Sequence, residues 1–326
     1  MQNILGIDVS KYTLDIVLIT DQGTSHKLVR NDLKVFPNLV KWMKKKQSGK
    51  VHACLEATGQ YGEELANFLF DHGHQVSVVN PARIKHYGAS KLHRNKTDKA
   101  DAALIAEFCQ KENPALWEPL CPEIKRLRAL IRRLQDQKAN FQQENNRLDS
   151  GEKDPWVIRD LKDHMVYLKR RIKATEAEIE EVVNGSSELK FNRRLLTTIP
   201  GFGKLTAHTL LAEIGDVKRF SSAPELGAYA GLTPKIHRSG TSISKKTRIS
   251  KQGRVELRRC LYMPAVVARK CNPVVQDLDV RMTKRGSQNM EIIVAAMRKL
   301  LHIAFGVLKN QTQFDPNYGT QFNFSS

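Results

Sequence analysis

The chain of 326 residues is short of acid, has no closely spaced cysteine pair and has no long apolar run, and each shortage narrows what it can be. Asp and Glu number 34 against 53 Lys and Arg, a formal charge of +19. That imbalance fits a polyanionic partner, because phosphate neutralisation supplies most sequence-independent affinity for nucleic acid. The rival partner for a basic chain is a membrane surface, but there is no lipidation signal and no long cationic amphipathic N-terminus. The nearest approach to a membrane-spanning run, across 292–308, is cut by Arg298 and Lys299. The N-terminus lacks the basic-then-apolar order of a signal peptide, and Asp8 interrupts its hydrophobic stretch. Cys54, Cys109, Cys121, Cys260 and Cys271 show no Cys-x-x-Cys spacing, which predicts reduced thiols in a cytoplasmic protein and no zinc site.

The first hundred residues read as α/β. Strands are predicted over 4–8, 14–19 and 27–31, then a helix over 36–46 with Phe36, Leu39, Val40 and Met43 on one face. Strand 51–55, helix 62–71, strand 75–79 and helix 98–111 follow. Three meandering strands and then alternating helix and strand fit an RNase-H-like fold, with the ends of the first and fourth strands close in space. Three prolines over 114–122 mark a linker. Beyond it, 123–149 and 155–183 are long charged helical patterns with narrow apolar stripes, separated by the breaker Ser150-Gly151-Glu152-Lys153-Asp154-Pro155. They predict an antiparallel helical hairpin with a coiled-coil seam, suited to dimerisation or to spacing two domains. The remainder to 309 reads as mostly helical, and the chain ends in a polar tail. The expected divisions are 1–113, 114–187, 188–310 and 311–326.

Three constellations carry chemistry. In Asn95-Lys96-Thr97-Asp98-Lys99-Ala100-Asp101-Ala102, Asp98 and Asp101 stand three apart and share one helix face. Asp8 and Glu56 each close an apolar run. Four converging acids in a basic chain suggest a bound divalent cation, and such a cation beside nucleic acid suggests phosphodiester chemistry. The plainer accounts are Asp98 as a helix N-cap and Asp8 as a turn residue; Glu56, closing a buried strand, needs a partner or a metal. Second, Ile199-Pro200-Gly201-Phe202-Gly203-Lys204 separates two apolar helical patterns, as in a helix–hairpin–helix whose backbone N–H groups hold a phosphate. A tight turn of architectural purpose is the alternative. Third, Lys235, Arg238, Lys245, Lys246, Arg248, Lys251, Arg254, Arg258, Arg259, Arg269 and Lys270 face a single acid, Glu256, and predict nucleic-acid contact. Within that run, 238–244 reads as a flexible, hydroxyl-rich loop. One of Ser239, Thr241, Ser242 and Ser244 is a conceivable nucleophile, although a loop hydroxyl making hydrogen bonds is the simpler account and the spacing selects none of them.

In combination these segments resemble a known family. Gly6-Ile7-Asp8-Val9-Ser10-Lys11, Leu55-Glu56-Ala57-Thr58-Gly59, Asn80-Pro81 and Asn95-Lys96-Thr97-Asp98-x-x-Asp101-Ala102 are similar to the first domain of the DEDD insertion-sequence transposases. Ile199-Pro200-Gly201, Ala230-Gly231-Leu232-Thr233-Pro234, Ser239-Gly240 and Arg258-Arg259-x-Leu261-Tyr262 are similar to that family's C-terminal transposase domain. The resemblance implies a RuvC-type RNase-H-like domain whose Asp8, Glu56, Asp98 and Asp101 bind Mg²⁺ or Mn²⁺. It implies a mostly helical C-terminal domain whose catalytic serine, falling on Ser239, forms a covalent phosphoserine link to DNA. It further implies a structured bridge RNA that pairs with donor and target double-stranded DNA. The active site would be shared between subunits of a dimer or tetramer in the cytoplasm of a bacterium, at the nucleoid. Two other classes compete. A RuvC-like structure-selective nuclease, such as a junction resolvase, would use the four acids with water as nucleophile. An actin-like ATPase would need a second Asp-x-Gly phosphate motif, which is absent.

Overall fold

The computed structural model describes residues 2–46, 49–57, 59, 61–91, 97–239 and 243–317, and of 235–239 and 243–248 the backbone only. The chain divides into two compact units, Met1–Pro119 and Leu120–Ser326.

In the first unit β1 (Asn3–Val9), β2 (Thr13–Thr20) and β3 (Gly23–Arg30) form an antiparallel meander. After α1 (Phe36–Lys45), β4 (Val51–Glu56) pairs parallel to β1. After α2 (Glu63–Asp71), β5 (Gln75–Val79) pairs parallel to β4. The order is β3-β2-β1-β4-β5, a mixed sheet compatible with the RNase-H-like expectation. Alternation along the strands splits the core into two layers. Leu5, Ile7 and Val9 of β1 join Phe36, Leu39 and Met43 of α1 and Leu65 and Leu69 of α2 on one face. Ile4 lies on the other, with Val17, Cys54 and the helices α3 (Pro81–Ser90) and α4 (Asp98–Glu112).

Helix α3 was not expected, because Asn80-Pro81 reads as the end of a strand. The same two residues also begin a helix: the Asn80 side chain accepts from the Ala82 N–H at 2.9 Å, and Pro81 sits where a missing N–H costs nothing.

The second unit is helical around one hairpin of strands. Helices α5 (Pro122–Asp149) and α6 (Pro155–Gly185) pack together. Glu144 lies 3.0 Å from His164 and Lys138 lies 2.8 Å from Glu176, so the two run antiparallel as expected. The seam contains Leu127, Ile131 and Leu134 from α5 and Leu161, Leu168 and Ile179 from α6, all buried. The near half of the hairpin also shares its core with α7 (Ser187–Thr197), α8 (Lys204–Ile214), α9 (Ala223–Tyr229), α10 (Val255–Cys271), α11 (Pro273–Lys284) and α12 (Asn289–Asn310). Ile179, Val182 and Val183 belong to that common cluster. No helix is long and apolar enough to cross a membrane among the described residues.

One expectation needs correction. The two ends of the stretch read as a flexible loop belong to antiparallel strands, β6 (Pro234–Ser239) and β7 (Ile243–Ile249), with Arg238 opposite Ser244 and Ser239 opposite Ile243; residues 240–242 lie outside the described residues. Lysine and arginine between the β-branched residues masked the strand pattern, whereas the backbone pairing depends on main-chain N–H and C=O groups that every one of these side chains leaves free.

Candidate metal centre

Gly6 sets the position of the site. A Cβ there would lie 2.3 Å from the Ala106 nitrogen and 2.4 Å from the Ala102 carbonyl oxygen, so only glycine lets α4 lie directly on β1. Ala102 and Ala106 complete that close approach from the helix side. Thr97, rather than Asp98, is the N-cap of α4, with its hydroxyl accepting from the Ala100 N–H at 3.2 Å. Asp98 and Asp101 therefore stand inside the first turn, where the helix dipole favours negative charge. Asp8 lies two residues beyond Gly6 on the same face of β1.

Carboxylate oxygens of Asp8, Asp98 and Asp101 all lie within 4.8 Å of one another, the one such group of three or more His, Cys, Asp or Glu among the described residues. Burial first, then the charges of Asp101, Asp98 and Asp15, together raise the Asp8 carboxyl to about 6, against an opposing hydrogen bond from the Val9 N–H. Glu56 lies outside the 4.8 Å group but within its field: burial first, then Asp8 and Asp101, raise its carboxyl above the usual range. With Ile7 opposite Leu55 in parallel register, Asp8 and Glu56 close adjacent strands side by side. Like charges gathered in a half-buried place, with no salt bridge to a cation among the described residues, are the donor set of a hard divalent ion. The residues present fit such an ion.

Sequence patterning alone did not single out Asp15. It lies opposite Asp8 on β2, and its Oδ1 is 2.8 Å from His26 Nε2 on β3. The available signal was the alternation Leu14-Asp15-Ile16, which places Asp15 on the same face as its cross-strand partner Asp8. Asn95 and Lys96 of the motif lie outside the described residues, as does Thr58.

The other predicted site residues belong to the second unit. Gly201 has φ +99° and packs against α10, where a Cβ would meet the Ala268 Cβ and the Pro264 carbonyl oxygen at 3.0 Å. Gly203 caps α8 with open space at its Cβ position. Lys204 follows with its side chain 72% exposed and its Nζ 4.0 Å from Glu180. Arg258 is held inward, donating to the Ala230 carbonyl at 2.8 Å and to the Gly253 carbonyl at 3.2 Å. Arg259 is 71% exposed beside Glu256, and Lys251 and Arg254 are exposed. Arg238, Lys245 and Arg248 take their places in the β6–β7 register by backbone, and Lys246 lies within β7. Ser239 closes β6, Ser244 is in β7, and Thr241 and Ser242 lie outside the described residues.

Comparison with known proteins matches two stretches of the chain. A family model described as Transposase, of the DEDD IS110 type, matches residues 5–151, and the model of the Transposase IS116/IS110/IS902 family matches residues 193–279. A pilin gene-inverting protein of Moraxella lacunata is 37% identical over 314 residues, covering 95% of this chain and 97% of the relative. Its counterpart in Moraxella bovis matches to the same extent. The transposase of insertion sequence element IS1328 from Yersinia enterocolitica is 29% identical over 232 residues, 62% of this chain and 66% of its own. With its acids gathered at α4 and relatives aligned along nearly its whole length, the chain belongs to the IS116/IS110/IS902 family of DEDD insertion-sequence transposases, enzymes that act on DNA.

Proposed function

We propose that the chain is a DNA recombinase of an insertion sequence, guided by a bridge RNA, that cuts and exchanges strands through a covalent phosphoserine intermediate. The observation that carries the reading is the approach of Asp8, Asp98 and Asp101 to within 4.8 Å, with Glu56 beside them. Those four acids would hold Mg²⁺ or Mn²⁺. When bound, such an ion supplies positive charge to the non-bridging phosphate oxygens of the scissile bond. The protein's own part is to hold the carboxylates in place through the Gly6 contact and the first turn of α4. Ser239 is the nucleophile: its Oγ forms a bond to phosphorus as the bond to the 3′-oxygen breaks. The proton lost by the serine is balanced by the one gained at the 3′-hydroxyl. The phosphoester energy stays in the protein–DNA link, so rejoining to a new 3′-end needs no ATP.

The acids lie in the first unit and Ser239 in the second. We take the complete site to join one subunit's acids to another's serine, in a dimer at least and a tetramer when two duplexes are joined. A relative named for inverting a gene and others named as transposases fit one chemistry of breaking and rejoining DNA. Lys204, Lys245, Lys246, Arg248, Lys251, Arg254 and Arg259 supply phosphate contacts in this reading, and the guide RNA supplies sequence choice.

A second reading has an observation of its own: the first unit carries the whole acid cluster without any serine of the second. A structure-selective nuclease would need no more, using water as nucleophile. Denaturing gels of DNA incubated with wild type and with Ser239→Ala separate the two. Recombination through serine gives a protease-sensitive adduct that Ser239→Ala lacks. An adduct surviving in Ser239→Ala but absent from Ser242→Ala moves the nucleophile to Ser242. Cleavage by wild type with no adduct would establish the water mechanism.

A further inference from the structure

The C-terminal end of α8 gathers a set of arginines of which three, Arg128, Arg132 and Arg219, lie outside the basic run from 235 to 270. Arg128 of α5 donates from Nε to the Ala212 carbonyl at 2.8 Å, one of the last carbonyls of α8, where a cation is favoured. Arg132, one turn along α5, places Nη2 3.6 Å from Glu213 Oε1, and Arg128 Nε lies 3.9 Å from the same oxygen. Glu213 is fully buried, and neither carboxylate oxygen accepts a hydrogen bond. Above it lies Tyr229, whose hydroxyl is 3.5 Å from the Glu213 carbonyl. The guanidinium of Arg219 lies 4.9 Å from the Tyr229 ring centroid, and that of Arg254 lies 5.6 Å from it.

This arrangement is built rather than accidental. Arg254 is locked to Tyr229 twice, by its backbone N–H to the Tyr229 carbonyl and by Nε to the Tyr229 hydroxyl, both at 2.9 Å. Arg219 is held by the Tyr229 and Phe220 rings. Stacking of this kind fixes a guanidinium plane while leaving its N–H fork free for phosphate oxygens. The charge is under-compensated. Glu213 is the buried counterion for Arg128 and Arg132, and Glu225, which feels Arg219, is already committed to the Ser221 N–H at 2.7 Å and hydroxyl at 2.6 Å. The Arg128 guanidinium is pressed toward losing its proton by burial, and the charges of Arg254 and Arg132 push the same way against Glu213. An external polyanion removes that repulsion.

Location selects the partner. The chain leaves Tyr229 and, within five residues, enters β6; it returns from β7 and reaches Arg254 five residues later. Three backbone bonds close this root: Ser250 N–H to the Thr233 carbonyl at 2.9 Å, Lys251 N–H to the Gly231 carbonyl at 3.2 Å, and the Arg254 bond to Tyr229. The arginines therefore stand at the base of the hairpin that carries Ser239.

We propose that Arg219 and Arg254, stacked on Tyr229, and Arg132, beside Glu213, form a docking platform for the phosphate backbone of the DNA duplex presented to this hairpin, with Glu213 and Arg128 as its buried foundation. The proposal rests on the reading that the hairpin acts on DNA. It adds Arg132 and Arg219, which lie outside the basic run, to the DNA-binding surface.

The test is DNA affinity of the full chain across a salt series, for wild type, Arg219→Ala, Arg219→Ala/Arg254→Ala and Arg219→Lys/Arg254→Lys, with Tm measured alongside. Two lost phosphate contacts predict that the double alanine variant binds about tenfold or more weakly and that its log–log salt slope falls by roughly 1.8. The lysine pair keeps the charge and recovers most of the slope. Arg219 is exposed, rests on two rings and lies in the field of Glu225, so Arg219→Ala alone, with roughly half the loss in slope, keeps the test readable should the double variant melt early. Wild-type affinity and slope in a folded Arg219→Ala protein would overturn the platform. Loss of affinity for the guide RNA with DNA affinity intact would overturn the choice of DNA. If wild type itself shows no salt-dependent DNA affinity, the reading of the hairpin falls as well; if wild type binds and cuts while the variants match it, only the platform falls.

Discussion

The two units solve opposite electrostatic problems. The first presses like charges together: Asp8, Asp98 and Asp101 share a small volume, with Glu56 and Asp15 adding to the field. It does so through a backbone contact at Gly6 that no other residue allows. The second spreads positive charge over helices and a strand hairpin, and where arginines do meet it neutralises them from below with buried Glu213. Carboxylates crowded in this way need a cation to be quiet, whereas arginines spread in this way need a polyanion. A metal-dependent enzyme acting on DNA needs both, and keeping them in separate units lets each keep its own charge without cancelling the other.

The largest effect that tests this division is on chemistry. Asp101→Ala should lower recombination by about 10³-fold or more while leaving the melting temperature and nucleic-acid affinity near wild type, because metal ligands act as a unit. Full activity in that variant would remove Asp101 from the centre.

Next comes the packing that enforces the crowding. Gly6→Val should destabilise the first unit by roughly 3 kcal/mol or more, since its Cβ would overlap the α4 backbone, which cannot move without taking Asp101 with it. Chemical denaturation measures this. In the second unit Gly203→Ala should cost only about 0.5 kcal/mol or less, because open space surrounds that position and a glycine N-cap contributes little. Similar losses in the two variants would break the comparison.

A smaller effect separates charge repulsion from packing. The Asp8 carboxyl is raised from 3.8 to about 6 in the folded protein, so the folded state holds its proton more tightly than the unfolded state does. Stability without metal should therefore fall as pH rises from about 4 to about 6 and stay lowered above that. Asp8→Asn should reduce that dependence, leaving the part that the raised Glu56 carboxyl contributes, and, at neutral pH without metal, stabilise the protein by about 1 kcal/mol, a figure discounted for the half-exposed site. Added Mg²⁺ should raise Tm for wild type and not for Asp8→Asn. A melting series in EDTA and in Mg²⁺ checks both; a flat pH profile for wild type would mean the carboxylates are better solvated than their positions imply.

The smallest expected effect lies on the helical hairpin. Lys138 and Glu176 are 2.8 Å apart and both more than two-fifths exposed, so breaking the pair with Lys138→Ala should cost about 0.5 kcal/mol or less. A larger loss would show that α5 and α6 depend on surface charge rather than on their apolar seam.

Much of the first unit was legible because its signals are local. Apolar runs bounded by turn residues marked β1, β2, β4 and β5, the Phe36, Leu39 and Met43 stripe marked α1, and Asp98 and Asp101 at a spacing of three marked one helix face. The alternative of Asp98 as the α4 cap gives way to Thr97, since both are competent caps and only backbone geometry chooses. The antiparallel hairpin of α5 and α6 was legible for the same reason, with stripes of apolar residues on either side of a Pro/Gly breaker. The hairpin of β6 and β7 was not, because cations on a strand carry no periodic signal.

By itself the sequence determined the sign of the partner's charge, the succession of strands and helices in the first unit, and which acids were candidates for one centre. Only tertiary structure decided that Asp8 and Asp101 meet, because their approach depends on α4 lying against β1 at Gly6, a contact between residues about a hundred positions apart. Only tertiary structure separated Gly201, pressed on α10, from Gly203, facing open space, although the two stand in the same turn. The arginines at Tyr229 come from α5, the segment before α9 and the N-cap of α10, so no window of sequence contains them. Spacing along a chain reports neighbours on one element, whereas a site assembled from several elements exists only once their packing is fixed.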